Sequence, residues 1–147
     1  PYPAQGAKST ALIAPPPLRG HTERVVDATG VGRAVVDLIR SAGLYPIAIT
    51  ITGGDTVNRE DYQNIRVPKR DLVAVLTVLL QTERLQIAAS LPDAAVLTQE
   101  LLGFQMRITP AANDVYGGRE GEHDDLVLAV ALGCWRGENL IRAQIFV

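Results

Sequence analysis

Short apolar runs rich in β-branched residues alternate along this chain with stretches whose apolar positions recur every three or four residues. The segment "RVVDATG" (24–30) is the first run, and it ends in Asp27 and a glycine turn, the signature of a buried strand. In "VGRAVVDLIRSAG" (31–43) Val31, Val35, Leu38 and Ile39 are spaced for one helical face, and Gly43 is the stop. "YPIAITIT" (45–52) reads as a second strand. The polar "GGDTVNREDYQNIR" (53–66) has turn residues and no period, and reads as a loop. "PKRDLVAVLTVLLQTE" (68–83) opens with Pro68 at a helix start and carries Leu72, Val75, Leu76 and Leu79 on one stripe. A third short strand is expected in "RLQIAA" (84–89), a helix in "LPDAAVLTQELLGF" (91–104) and a fourth strand in "QMRITP" (105–110). A glycine-rich loop leads to a helix over about 124–135, apolar on every side and therefore expected to be deeply buried against the sheet. The ends are plainer: a weak helix from Ala4 to Ala14 closed by Pro15-Pro16-Pro17, and a partly alternating tail after Trp135 that fits one more strand.

Strand and helix alternate in this way in α/β folds, with helices layered on a sheet. The 147 residues suit one domain, with residues 1–20 as a helix and proline-rich connector and 136–147 as a tail. Hydrophobic residues make up 47% and charged residues 20%, so the composition is that of an ordinary globular chain. A net charge of -2 gives no global attraction to nucleic acid or anionic membrane, so any DNA contact must come from a local basic patch. Cys134 is the single cysteine, which excludes a disulfide framework, and its place in an apolar run argues for packing. With no signal peptide and no apolar run long enough to span a membrane, a cytoplasmic setting is expected. The chain opens without an initiator methionine and reads as a piece of something longer.

Two carboxylate loci carry the candidate chemistry. Asp27 stands at the carboxyl end of a strand, where ligand sites of open α/β sheets lie. The competing reading is that it starts the turn and caps the next helix. The second locus is His123-Asp124-Asp125, with Glu120 and Glu122 just upstream. One acid there is explained by the helix dipole, at roughly 0.3–1 kcal/mol. Two adjacent acids plus a histidine are explained better by a hard divalent cation, Mg²⁺ or Mn²⁺, that neutralises them. Two such loci suit a pair of metals about 4 Å apart that activate water and stabilise the leaving oxygen of a phosphodiester. His123 reads either as a metal-side residue or as a capping one. Gly30 and Gly32 form a lone G-x-G whose expected job is a sharp turn and a close helix–strand approach. Arg66, Lys69 and Arg70 are candidates for DNA phosphate contacts, or else a solvated helix start.

In order, "VVDATGVGRAVVDLIR", "ITGGD", "VPKRDLVAVLTVLLQTERLQIA", "LTQELLGFQMRIT" and "EHDDLVLAVALGCW" resemble the nuclease domain of phage terminase large subunits over most of the chain. The resemblance implies an RNase H-like (retroviral-integrase-type) sheet flanked by helices. It also implies a two-metal endonuclease that cuts concatemeric viral DNA during packaging. Asp27 matches the family's fourth-strand acid, Asp124 or Asp125 its last-helix acid (Asp125 preferred as direct ligand), Gly30 and Gly32 the turn, and Lys69 the lysine after the valine–proline step. Double-stranded DNA, a portal or small terminase subunit, and a bacterial cytoplasm are the implied partners and setting. The sequence departs from the family by starting after the first strands and their aspartate, and it lacks the ATPase motor. Weak metal binding and little or no cleavage are therefore expected of this polypeptide alone. The edge of "RVVDA" left bare is expected to be covered by "LIRAQIFV" or by a second copy, giving a homodimer. The alternatives are a non-catalytic prophage remnant or assembly module and, ranked behind both, a nucleotide-binding domain using the GVG turn.

Overall fold

The computed structural model of the chain describes residues 10–16, 18–106 and 124–144, which divide into two compact units meeting in sequence at Pro68 and Lys69. The first unit carries a four-stranded mixed sheet, and the second is helical among its described residues, so the chain is α/β as the alternation predicts.

In the first unit β1 (Val25–Asp27), α1 (Gly32–Ser41) and β2 (Ile47–Thr52) form a parallel strand–helix–strand unit, with Val25 in register with Ile47 and Asp27 with Ile49. The helix buries a different face from the one its valine and leucine spacing predicts. Val31 is 86% exposed and Leu38 is 50% exposed, while Val36 packs on Ala28, Ala48 and Val26. Gly32 gives the reason. A Cβ there would lie 2.2 Å from the main-chain oxygen of Asp27, so the side through residues 32 and 36 must face the strand. Arg33, Asp37 and Arg40 share one side of this helix and the apolar side chains span the rest, so the close approach selects which of them pack inward.

The segment read as a loop holds two strands, β3 (Asn58–Arg59) and β4 (Asn64–Pro68), paired antiparallel as a hairpin. Asp61 shapes its turn: Oδ1 accepts the N–H groups of Gln63 (2.7 Å) and Asn64 (2.8 Å). β4 then pairs parallel with β2, and the sheet order is β1-β2-β4-β3. Two apolar residues, Ile65 and Val67, alternating with Asn64 and Arg66 are a weak signal for a strand that is apolar on one face only. Among the described residues no strand pairs with the outer edge of β1. Ahead of the sheet residues 10–13 are helical and the chain turns by Pro15, as the prolines require; residues 1–9 and Pro17 lie outside the described residues.

The second unit is built from α2 (Lys69–Gln81), α3 (Ala94–Met106) and α4 (Asp125–Gln144), with α4 packed on both of the others. Leu72, Leu76 and Leu79 of α2 are buried along the expected stripe. "RLQIAA" is not a strand. Glu83 takes a left-handed φ of 56°, the N–H groups of Arg84 and Leu85 return to the carbonyl of Leu79, and Arg84 pairs with Glu138. Leu85 and Ile87 are half-buried between exposed neighbours, so the two-residue alternation is real, but among the described residues no ladder partner stands beside it. The tail also differs from expectation. Residues 136–144 continue α4 as helix, so Leu140–Gln144 does not pair with an edge strand, and 145–147 lie outside the described residues. α4 buries Val127, Ala131, Leu132, Trp135 and Arg136, while Ala129, Gly133 and Gly137 are exposed. Leu126, Leu128 and Val130, which made the helix read as apolar on every side, are only half-buried. The fourth strand expected at "QMRITP" is helical at Gln105 and Met106, and its remainder lies outside the described residues. Among the described residues no helix is long and apolar enough to cross a membrane.

Candidate functional site

Asp27 lies half-buried at the carboxyl end of β1, where the sequence places it. Its Oδ1 accepts the N–H of Thr29 at 2.8 Å, and the Thr29 hydroxyl accepts the N–H of Ile51 at 2.9 Å, which ties the turn to β2. Gly30 adopts φ +55°, and the helix starts at Gly32 against the Asp27 carbonyl. The turn and the close approach expected of the glycine pair are thus both present. Oδ2 of Asp27 has no hydrogen-bond partner among the described residues, so the turn engages half of the carboxylate.

At the second locus the main-chain oxygen of Asp124 accepts the N–H of Leu128 at 3.0 Å, which puts Asp124 at the entry to α4. Its carboxylate does not cap the helix. The N–H groups of Leu126 and Val127 both go to Oε2 of Glu100, at 3.0 Å each, from the middle of α3. A carboxylate held at the positive end of a 20-residue helix is well placed, and such partly buried geometries contribute up to about 2 kcal/mol. Asp124 Oδ2 faces the Lys69 ammonium at 3.5 Å, with the two side chains 28% and 30% exposed. The same ammonium stands 5.4 Å from the centroid of the Phe104 ring. Asp125 is exposed in the first turn and has no polar partner among the described residues. His123, with Glu120 and Glu122, lies outside the described residues.

The basic trio is engaged locally. Arg66 Nε contacts Glu60 at 3.0 Å, Arg70 Nε contacts Asp71 at 3.7 Å, and Lys69 is held as described. Burial, and then the nearby Glu138 carboxylate, push the Cys134 thiol above its usual range, which makes it a poor nucleophile. In the hairpin, the Asn64 side-chain amide and then the Gln63 N–H hold Asp61 below the usual carboxylate range.

The periodicity of the 91–104 segment gives no role to Glu100, yet a lone acid inside an otherwise uncharged helix is a signal for a specific partner.

Carboxylate oxygens that retain a lone pair suit a hard cation, and Asp27 Oδ2 and the Asp125 carboxylate meet that condition. Among the described residues no group of three or more His, Cys, Asp or Glu side chains converges on one point. No protein-family model, no curated protein and no solved structure matches this chain.

Proposed function

We propose that the chain is part of an RNase H-like, metal-dependent endodeoxyribonuclease of the terminase large subunit kind, acting on double-stranded DNA. The observation that carries this reading is Asp27: an acid at the carboxyl end of a parallel strand, fixed by a G-x-G turn, with one carboxylate oxygen still uncommitted. Mg²⁺ or Mn²⁺ would supply an activated water and neutralise charge on the scissile phosphodiester. Asp27 would be a ligand of the cation, and so would Asp125, with Asp124 next to it in the chain. The Lys69 ammonium beside Asp124 limits repulsion between the adjacent acids. A portal or small terminase subunit would be the protein partner, and the free edge of β1 would accept a second copy of the chain.

A second reading, a non-catalytic remnant or assembly module, draws on a different fact: Asp27 shapes a turn, and Asp124 already has a lysine. Calorimetric titration with Mn²⁺ separates the two. Weak binding that disappears in both Asp27→Asn and Asp125→Asn is the expected result. Binding unchanged in either variant, or none in the parent chain, would sink the nuclease reading.

A further inference from the structure

Cross-strand register places Val26, Ala48 and Asn64 in one row and Thr50 and Arg66 in the next, all on the face that α1 packs against. The helix covers the β1 side of this face through Val36. Beside the helix, the small side chains of Ala28 and Ala48 leave a hollow bordered by Arg33, Thr50, Glu60, Asn64 and Arg66. Asp27, in register with Ile49, alternates to the opposite face of the sheet, so this hollow is separate from the carboxylate site discussed above.

The chemistry of its rim is one-sided. The Arg33 guanidinium makes no ion pair or hydrogen bond among the described residues, and neither does the Thr50 hydroxyl. Arg66 gives only Nε to Glu60, at 3.0 Å, which leaves its two terminal nitrogens to donate elsewhere. Asn64 is committed to the wall: its Oδ1 accepts from Arg40 at 3.0 Å and its Nδ2 donates to Asp61 at 2.7 Å. Two guanidinium groups and a hydroxyl thus face a concavity holding one carboxylate, which is already paired. That donor set cannot hold a cation, and its polar rim does not suit an apolar ligand. It suits a tetrahedral oxyanion, because each guanidinium fork can take two oxygens and the hydroxyl a third.

We infer that this hollow is a phosphate-binding site, with Arg33 and Arg66 as its principal donors and Thr50 as a third. The phosphate is either free inorganic phosphate or a phosphodiester of a DNA backbone, and the site stands whether or not the chain cuts DNA. The test is titration of the 147-residue chain with inorganic phosphate, followed by amide chemical shifts and calorimetry. Phosphate is expected to move the amides of Ala28, Arg33, Thr50 and Arg66, with Arg33→Gln and Arg66→Gln each binding about tenfold more weakly. Both side chains are at the surface, so the variants are expected to fold. Arg19→Gln, away from the hollow, is expected to bind as the parent does. A short duplex without terminal phosphates identifies the source. If it competes with phosphate, and Arg33→Gln lowers its salt dependence by about one phosphate contact, the ligand is a DNA backbone; if it does not compete, the ligand is free phosphate. Phosphate binding equally to parent and Arg33→Gln, acetate competing as well as phosphate, or no shift in the hollow would overturn the proposal. None of these outcomes depends on Mn²⁺ binding at Asp27 or Asp125, so the two proposals fail separately.

Discussion

The turn after β1 and the entry to α4 are both acidic, and they are built in opposite ways. At the first, everything that fixes Asp27 lies within five residues of it or on the neighbouring strand: the Thr29 N–H, the φ of Gly30, and the absent side chain of Gly32. At the second, the local acids leave the helix end to others. Glu100 reaches 26 residues along the chain to take two N–H groups, and Lys69 comes from another helix to meet Asp124. A short-range site is stabilised by backbone geometry, and a long-range site by charge. The first should respond to added volume, and the second to removed charge.

Gly32→Ala is the harshest test of that contrast. The new Cβ would sit 2.2 Å from the Asp27 carbonyl, and either the turn or α1 must move. A loss of about 3 kcal/mol or more is expected in urea unfolding, whereas Gly133→Ala, which meets open space on exposed α4, should stabilise by about 0.5–1 kcal/mol. Equal effects at the two positions would remove the geometric account of the Asp27 turn.

Glu100→Ala comes next, at about 2 kcal/mol, because two helix-end N–H groups lose a charged acceptor. Amide exchange at Leu126 and Val127 should quicken first, and Glu100→Gln should recover part of the loss through its amide oxygen. Unchanged exchange at those two amides would mean that the contact does not organise the α4 entry.

The Lys69–Asp124 pair is partly exposed, so a double-mutant cycle should give a coupling of about 0.5–1 kcal/mol that shrinks in high salt. A coupling indifferent to salt would mean that Lys69 acts through packing on Phe104 instead. Smallest is the pH effect at Asp61. Its folded pKa lies below the ordinary 3.8, so its contribution is full above that value and is lost as the pH falls through the folded pKa. The thermal midpoints of the parent and Asp61→Asn should differ near neutral pH and converge in strong acid. A constant difference across the range would assign the effect to shape rather than charge.

The α/β class, the strand–helix–strand unit around Asp27 and the buried stripe of α2 were legible in the sequence, because each follows from a local period or a turn residue. The sequence likewise marked where α4 begins and offered its own acids as a cap or as metal ligands, whereas the cap comes from Glu100. Strand pairing was the weak point. "RLQIAA" alternates without a partner, while "NIRVP" has two partners and barely alternates. A strand is a relation between segments, and one segment's pattern records only half of it. At α4, too, one segment's pattern was incomplete evidence: of its large apolar residues Val127, Leu132 and Trp135 are buried, while Leu126, Leu128 and Val130 are only half-buried.

By itself, then, the sequence determined the local elements: turn residues, periods, and an acid at a strand's end. Tertiary structure decided which face of α1 turns inward, which helix end Glu100 caps, and that Arg33 and Arg66 border one hollow. Periodicity and propensity act over a few residues, whereas a close backbone approach, a charge at a distant helix end and a gap between side chains exist only once separate segments are brought together.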